Sequence, residues 1–372
     1  MSDDAATPLS DVSGRIAHIF FALPSYDPSF IAPTLSCVRG IRDALGPNVH
    51  CTILRRPNQA ALVDDALAAF GPLDAVGWEE GFVLRLGDMG ASVDGGTLRI
   101  TRMSLPDFTN WVQDAFLVAA TPVGGTQVWA SPHVRRRFGG WDDEVPKRLA
   151  KHMGWTCETL PCAIEAGNVL VDHRAVVVGG DVPAGATPAA WDALRNALRD
   201  RQVIVSRVGK PQPLFHLDLY LALAGPDPAS GRPLALVGSA RLARETLGQP
   251  ADDTSLDEGL DAVAEELSAH GYVVERLPVL PFRGDLAPDG AWYSYANCLV
   301  EVFDDVRRVV APAFGSGTGD ELDTLDAAAE HIWSGLGFDV SFARGEFAYL
   351  AQLGGSVRCM TKVLARERIE SR

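Results

Sequence analysis

The feature that most constrains this chain is a recurring order of short segments. NVLVDH (168–173) and AVVVGG (175–180) are valine-rich apolar runs of strand length. PAAWDALRNALRDR (188–201) then places apolar residues at helical spacing, behind a proline suited to a first helical turn. QVIVSRV (202–208) reads as a strand again. The order is strand, strand, helix, strand, and it returns along the chain. AFLVAA, TQVWAS, the helical DDEVPKRLAKHMG and WTCETL repeat it between 115 and 160. DLYLALAG, PLALVGS, DEGLDAVAEELSAHG and YVVERL repeat it between 218 and 277. NCLVEVF, RRVVAPA, DTLDAAAEHIWSGLG and FDVSFA repeat it between 297 and 343. A fifth copy is assembled from the two ends: MTKVLAR at 360–366, then AHIFFAL, the helical LSCVRGIRDALG, and VHCTIL. Long insertions such as 56–113 interrupt the spacing, so the repeat is structural rather than a strict sequence period. Five ββαβ units closed through the termini imply a pseudosymmetric α/β arrangement about a central axis. The competing reading is an ordinary mixed α/β domain. Residues 1–14, small, acidic and proline-bearing, read as a flexible tail, and 15–372 as one catalytic domain.

Composition narrows the function classes. The 372 residues carry a formal net charge of −15, which repels nucleic acid and anionic membrane surfaces and suits a cationic ligand. The short basic cluster HVRRRF (133–138) is followed closely by WDDE and reads as a solvated patch. MSDDAATPLSDVSG lacks the apolar segment of a signal peptide, and no apolar run reaches the roughly 20 residues that cross a bilayer. The six cysteines (Cys37, Cys51, Cys157, Cys162, Cys298, Cys359) are scattered without CxxC spacing, which argues against a disulfide framework and a zinc site. The expectation is a cytoplasmic protein needing neither metal nor cofactor, with no nucleic-acid or membrane partner, and compatible with a homo-oligomer.

The chemistry sits just before the first strand of each unit. NWVQD ends in Asp114, IEAGN carries Glu165, FHLD carries His216 and Asp218, SYAN ends in Asn297, and GGSVRC ends in Cys359. Taken singly these are unremarkable: an Asp before a strand is commonly a turn residue, and most free cysteines are core packing units. The other histidines, His18, His133, His152, His173, His270 and His331, read as core or surface residues. If the units surround an axis, however, the five stations converge. Cys359 would be a nucleophile and His216, whose ordinary pKa is about 6.5, a general acid and base. Three carboxylates around a thiol disfavour the thiolate unless the ligand is a cation, and a planar guanidinium matches carboxylates pairwise. Asp114 and Asp218 would clamp it, while Glu165 would hold His216 protonated. Addition of the thiolate to the guanidinium carbon and loss of ammonia would leave a thiouronium intermediate, which water then hydrolyses to a ureido group.

WVQD, IEAGNVL, FHLDLYLAL and GGSVRCMTKVL, an ordered set spanning 111–364, resemble the guanidine-modifying (pentein) superfamily of arginine, agmatine and protein-arginine deiminases. FHLD and RCMT are most similar to arginine deiminase; WVQD is more similar to the agmatine and protein-arginine enzymes. The resemblance implies a five-bladed ββαβ propeller and a small guanidino substrate such as arginine or agmatine. It implies the same roles for Asp114, Glu165, His216, Asp218 and Cys359, with Trp111, Gln113, Asn297 and Arg358 at the substrate. Two departures leave the substrate open. Gln113 stands where arginine deiminases have arginine, and Arg358 where agmatine and protein-arginine deiminases have histidine. Arg102, Arg283 and Arg344 are candidates for a substrate carboxylate. Amidino transfer to an amine, action on arginine side chains of proteins, and a non-catalytic binding role are the alternatives.

Overall fold

In the computed structural model the described residues are 6–23, 28–55, 84–85, 100–104, 109–121, 124–132, 142–198, 201–206, 216–250, 255–284 and 287–367. Their strands form five sheets. Each has the same nucleus, an antiparallel pair followed, after a helix, by a third strand parallel to the second. In the first unit Phe116–Ala120 pairs antiparallel with Thr126–Ala130, and helix Val145–Met153 returns the chain to Thr156–Thr159. The second unit uses Val169–Val171, Ala175–Gly179, helix Pro188–Ala197 and Gln202–Ser206. The third uses Leu221–Pro226, Pro233–Ser239, helix Ser255–Ala269 and Val273–Gly284, with Ala287–Ser294 added at the edge. The fourth uses Leu299–Phe303, Val306–Pro312, helix Glu321–Gly335 and Asp339–Ala343. The mixed α/β architecture read from the segment rhythm is present.

The fifth sheet joins the two ends of the chain. Thr361–Glu367 pairs antiparallel with Arg15–Leu23, which runs parallel to His50–Arg55 across helix Pro28–Leu45. Ile100–Ser104 extends this sheet in parallel, and the short Leu84–Arg85 closes its edge. The basic cluster 133–138 lies outside the described residues.

Local chemistry accounts for these elements. The strands are runs of Val, Leu, Ile and Ala, and their inner residues are buried; Val169, Leu170 and Val171, for example, are all buried. Thr187 caps helix Pro188–Ala197 by accepting from the Ala190 N–H, with Pro188 where no donor is needed. Asp320 and Asp323 form a reciprocal capping box at the start of Glu321–Gly335.

The flexible-tail expectation for residues 1–14 is corrected from Ala6 onward. Thr7–Pro8 adds a strand to the first sheet beside Ala119 and Ala120. The Val12 side chain is fully buried, and its backbone bonds to Val302 in the fourth unit. Residues 6–14 therefore tie units together, because their backbone groups complete sheet edges that would otherwise be open. Among the described residues no helix is long and apolar enough to cross a membrane.

Candidate active site

Two of the expected first strands begin later than their sequence suggests, and the displaced residues form the site. Ala166–Asn168 and Leu217–Leu219 are single 3-10 turns, each followed by its strand. Turns also precede Phe116, Leu299 and Thr361. Asp114, Glu165, His216, Asp218, Asn297 and Cys359 all sit in or beside these turns.

The structure brings them together. The Nε2 of His216 is 2.8 Å from Glu165 Oε2, and its Nδ1 is 3.4 Å from Asp114 Oδ1. The Sγ of Cys359 is 4.0 Å from Asp218 Oδ1. Asn297 donates from Nδ2 to that Sγ at 3.1 Å and to the Asp218 carbonyl at 2.9 Å. Backbone bonds lock the turns to one another: Gln113 N–H donates to Cys359 O at 3.3 Å, and Ala166 N–H to Asp114 O at 3.1 Å. Gly167 is required by this closeness, since a Cβ there would stand 2.7 Å from His216 Nδ1.

Burial sets the electrostatics. His216 and Asp218 are 1 % and 0 % exposed, Cys359 5 % and Asp114 8 %. Burial pushes the Cys359 thiol well above its ordinary range, Asp218 and Asp114 add to that, and the Ser356 and Asn297 hydrogen bonds oppose it. Burial also raises Asp218 to about 6, against the pull of Arg358 and His216. For His216 burial acts downward, but Asp114, the Glu165 hydrogen bond and Asp218 outweigh it, so its pKa is raised and the imidazolium favoured. The site is thus a buried acidic cluster in which the carboxylates favour the imidazolium form of His216 and disfavour the Cys359 thiolate.

Three residues expected at the substrate make hydrogen bonds within the protein. Gln113 donates from Nε2 to Ala166 O at 3.3 Å and accepts from Lys362 Nζ at 3.3 Å, because it lies between two units whose backbones need partners. Asn297 is a clamp: its Oδ1 accepts from Ser356 Oγ, Arg358 N and Cys359 N at 3.0, 2.9 and 3.2 Å. Arg358 turns its guanidinium toward Asp11 Oδ1 at 2.7 Å and Val169 O at 3.3 Å. Trp111, only 7 % exposed, walls the thiol: a Cβ on Gly355 would meet both Trp111 Cζ3 and Cys359 Cβ. Arg344 is exposed, and the side chains of Arg102 and Arg283 lie outside the described residues.

Sequence reading missed Asp11 and Lys362. Lys362 is buried and donates to Gln113 O at 3.2 Å; burial lowers its pKa to about 7. The only signal was a lysine inside an apolar strand. All six cysteines are free; burial raises the Cys51 and Cys298 thiols to about 12, as expected of packing residues. Among the described residues no group of His, Cys, Asp and Glu has a metal-binding arrangement.

Solved structures with this architecture include the agmatine deiminase of C. jejuni, with a TM-score of 0.66 over 98% of both chains at 11% identity. The agmatine deiminase of Enterococcus faecalis matches with a TM-score of 0.65 over 96% of this chain and 95% of that one, again at 11% identity. The chain shares the pentein fold of these structures. Within that fold the motifs singled out by sequence fall on the turns described above. No protein-family model matches the chain, and no curated protein sequence does.

Proposed function

We propose that this protein is a guanidine hydrolase of the deiminase type, converting a small cationic guanidino compound such as arginine or agmatine to its ureido product and ammonia. The observation that carries this reading is the convergence of one thiol, one imidazole and three carboxylates, from four units of the chain, in one buried acidic cluster. The similarity to agmatine deiminases in fold supports it. We further take the five sheets to be blades closed around an axis, with the site on that axis.

The geometry supports a covalent, two-step mechanism. A guanidinium bound between Asp114 and Asp218 supplies the charge that the raised Cys359 thiol lacks, so the thiol gives its proton to water and becomes the thiolate only when the substrate is present. Sγ attacks the guanidinium carbon, and the protonated His216, held by Glu165, gives its proton to the departing nitrogen. Ammonia leaves and an S-linked thiouronium remains. His216, now neutral, takes a proton from water, whose oxygen adds to the same carbon. Collapse breaks the C–S bond, the hydroxyl proton passes to the departing sulfur, and the Cys359 thiol and the ureido product are released. The near-complete burial of the thiol favours a small compound over an arginine in a folded protein.

Ammonia and ureido-product release should be measured on arginine, agmatine, methylated arginines and an arginine peptide, with Cys359→Ala as control. Cys359-dependent release from a small compound is expected. Turnover only when an amine acceptor is added would replace hydrolysis by amidino transfer. Equal turnover by Cys359→Ala would overturn the covalent mechanism.

A further inference from the structure

Arg358 stands one residue before the proposed nucleophile and carries the same guanidinium group that the site is proposed to bind. It is 6 % exposed, and its Nε lies 3.4 Å from Asp218 Oδ2. The other oxygen of that carboxylate, Oδ1, is the one 4.0 Å from Cys359 Sγ. Arginine prefers to meet a carboxylate through two parallel bonds, and Asp218 is within its reach. What turns the forked end away is Asp11, whose Oδ1 takes Nη1 at 2.7 Å, together with Val169 O on Nη2 at 3.3 Å. Asp11 is itself fixed. Its Oδ2 accepts from Val171 N–H at 2.7 Å, its own N–H donates to Val171 O at 2.7 Å, and its carbonyl accepts from Arg366 Nη2 at 2.5 Å.

We propose that Asp11 is a positioning residue: by holding the fork of Arg358, it limits Arg358 to its Nε contact with Asp218 Oδ2 and keeps Oδ1, the oxygen beside Cys359, open to the guanidinium of the substrate. Without Asp11, Arg358 closes onto Asp218 as an internal competitor. The N-terminal segment is then part of the binding apparatus, although it does not touch the substrate. This inference rests on the guanidine-hydrolase reading.

The test is a cycle of Asp11→Asn, Arg358→Gln and the double variant, with Asp11→Glu as the conservative replacement. Asp11→Asn is expected to raise KM roughly tenfold, the scale of one charge-assisted contact, with a smaller change in kcat. Asp11→Glu should recover most of it. In the Arg358→Gln background the same Asp11 change should leave KM nearly unmoved, because the competitor is gone. Additive effects on KM, or an unchanged KM in Asp11→Asn, would overturn the proposal. Thermal melting separates either result from a loss of fold.

A second readout needs no turnover: the pH dependence of Cys359 alkylation by iodoacetamide. The thiol faces Asp218 and Asp114; Asp218 in turn faces Arg358, His216, Asp114 and Asp11. Drawing Arg358 onto Asp218 weakens the negative field at the thiol, so the midpoint should move to lower pH in Asp11→Asn and not in the Arg358→Gln background. That shift without turnover of any guanidino compound would sink the hydrolase reading and leave the Asp11–Arg358–Asp218 coupling standing. Normal turnover with no shift in KM or midpoint would sink the coupling alone.

Discussion

At Asp218, stability and the proposed function oppose each other. Fully buried, it titrates near 6, above the roughly 3.9 of an unfolded aspartate. The folded protein therefore holds this proton more tightly than the unfolded chain. The stability it contributes is complete below the unfolded value and is lost as pH rises through about 6. Asp218→Asn removes a charge the fold resists, so at pH 7.5 its melting temperature should exceed that of the parent by a few degrees. Near pH 4 the gap should close. Turnover should fall by roughly a thousandfold or more, since the variant lacks the anionic clamp. In the parent, turnover should decline as pH drops through about 6, because the protonated acid no longer binds a cation. A variant that melts lower at pH 7.5 would show that the ion pair with Arg358 outweighs burial.

At the scale of the element, the turn that presents Cys359 is set by its glycines. Helix Phe347–Gln352 ends in Gly354, whose φ of 92° is the left-handed region where glycine terminates helices. Gly355 then lets the chain pass under Trp111. A Cβ at 355 would lie 2.6 Å from Trp111 Cζ3, 2.8 Å from Cys359 Cβ and 3.1 Å from Sγ. Gly355→Ala should cost about 1–3 kcal/mol of stability as an overpacked site and lower kcat roughly a hundredfold by displacing the thiol. Gly337→Ala is the comparison. Its φ is 80° but no atom lies within 4 Å of the added Cβ, so it should cost about 1 kcal/mol in backbone strain and leave turnover unchanged. Melting curves and kcat on both variants check the pair. Equal loss of activity in the two would mean that global stability, not the position of Cys359, limits turnover.

Across the whole molecule, the ends of the chain hold each other. Thr361–Glu367 pairs along Arg15–Leu23, an ion pair links Arg15 to Glu367, and Arg366 donates to the carbonyls of Val12, Gly14 and Val300. Truncation before Thr361 strips the fifth sheet of this strand and exposes the buried faces of Ile16, Ile19 and Phe21. The shortened chain should show no cooperative melting transition, while removal of residues 368–372 alone should leave one. A cooperative transition in the chain truncated at Met360 would show that the remaining units are stable without closure.

How much of this was legible in the sequence depends on the range of the forces involved. Valine-rich runs, helical spacing and a polar residue before each first strand are local patterns, and they located the five units and the residues Asp114, Glu165, His216, Asp218 and Cys359. Burial periodicity and turn chemistry act over a few residues, so one strand of text carries them. The directions of Gln113, Asn297 and Arg358 were not legible. Each is decided by a partner in another unit, as with Arg358 and Asp11, 347 residues apart. The acidic, proline-bearing start of the chain reads as a tail because composition reports solubility and not which sheet edge lies open beside it. The residue types able to carry the proposed chemistry were written in the sequence; which of them converge and which brace the others was decided only by packing, where a buried charge must find a partner wherever the fold supplies one.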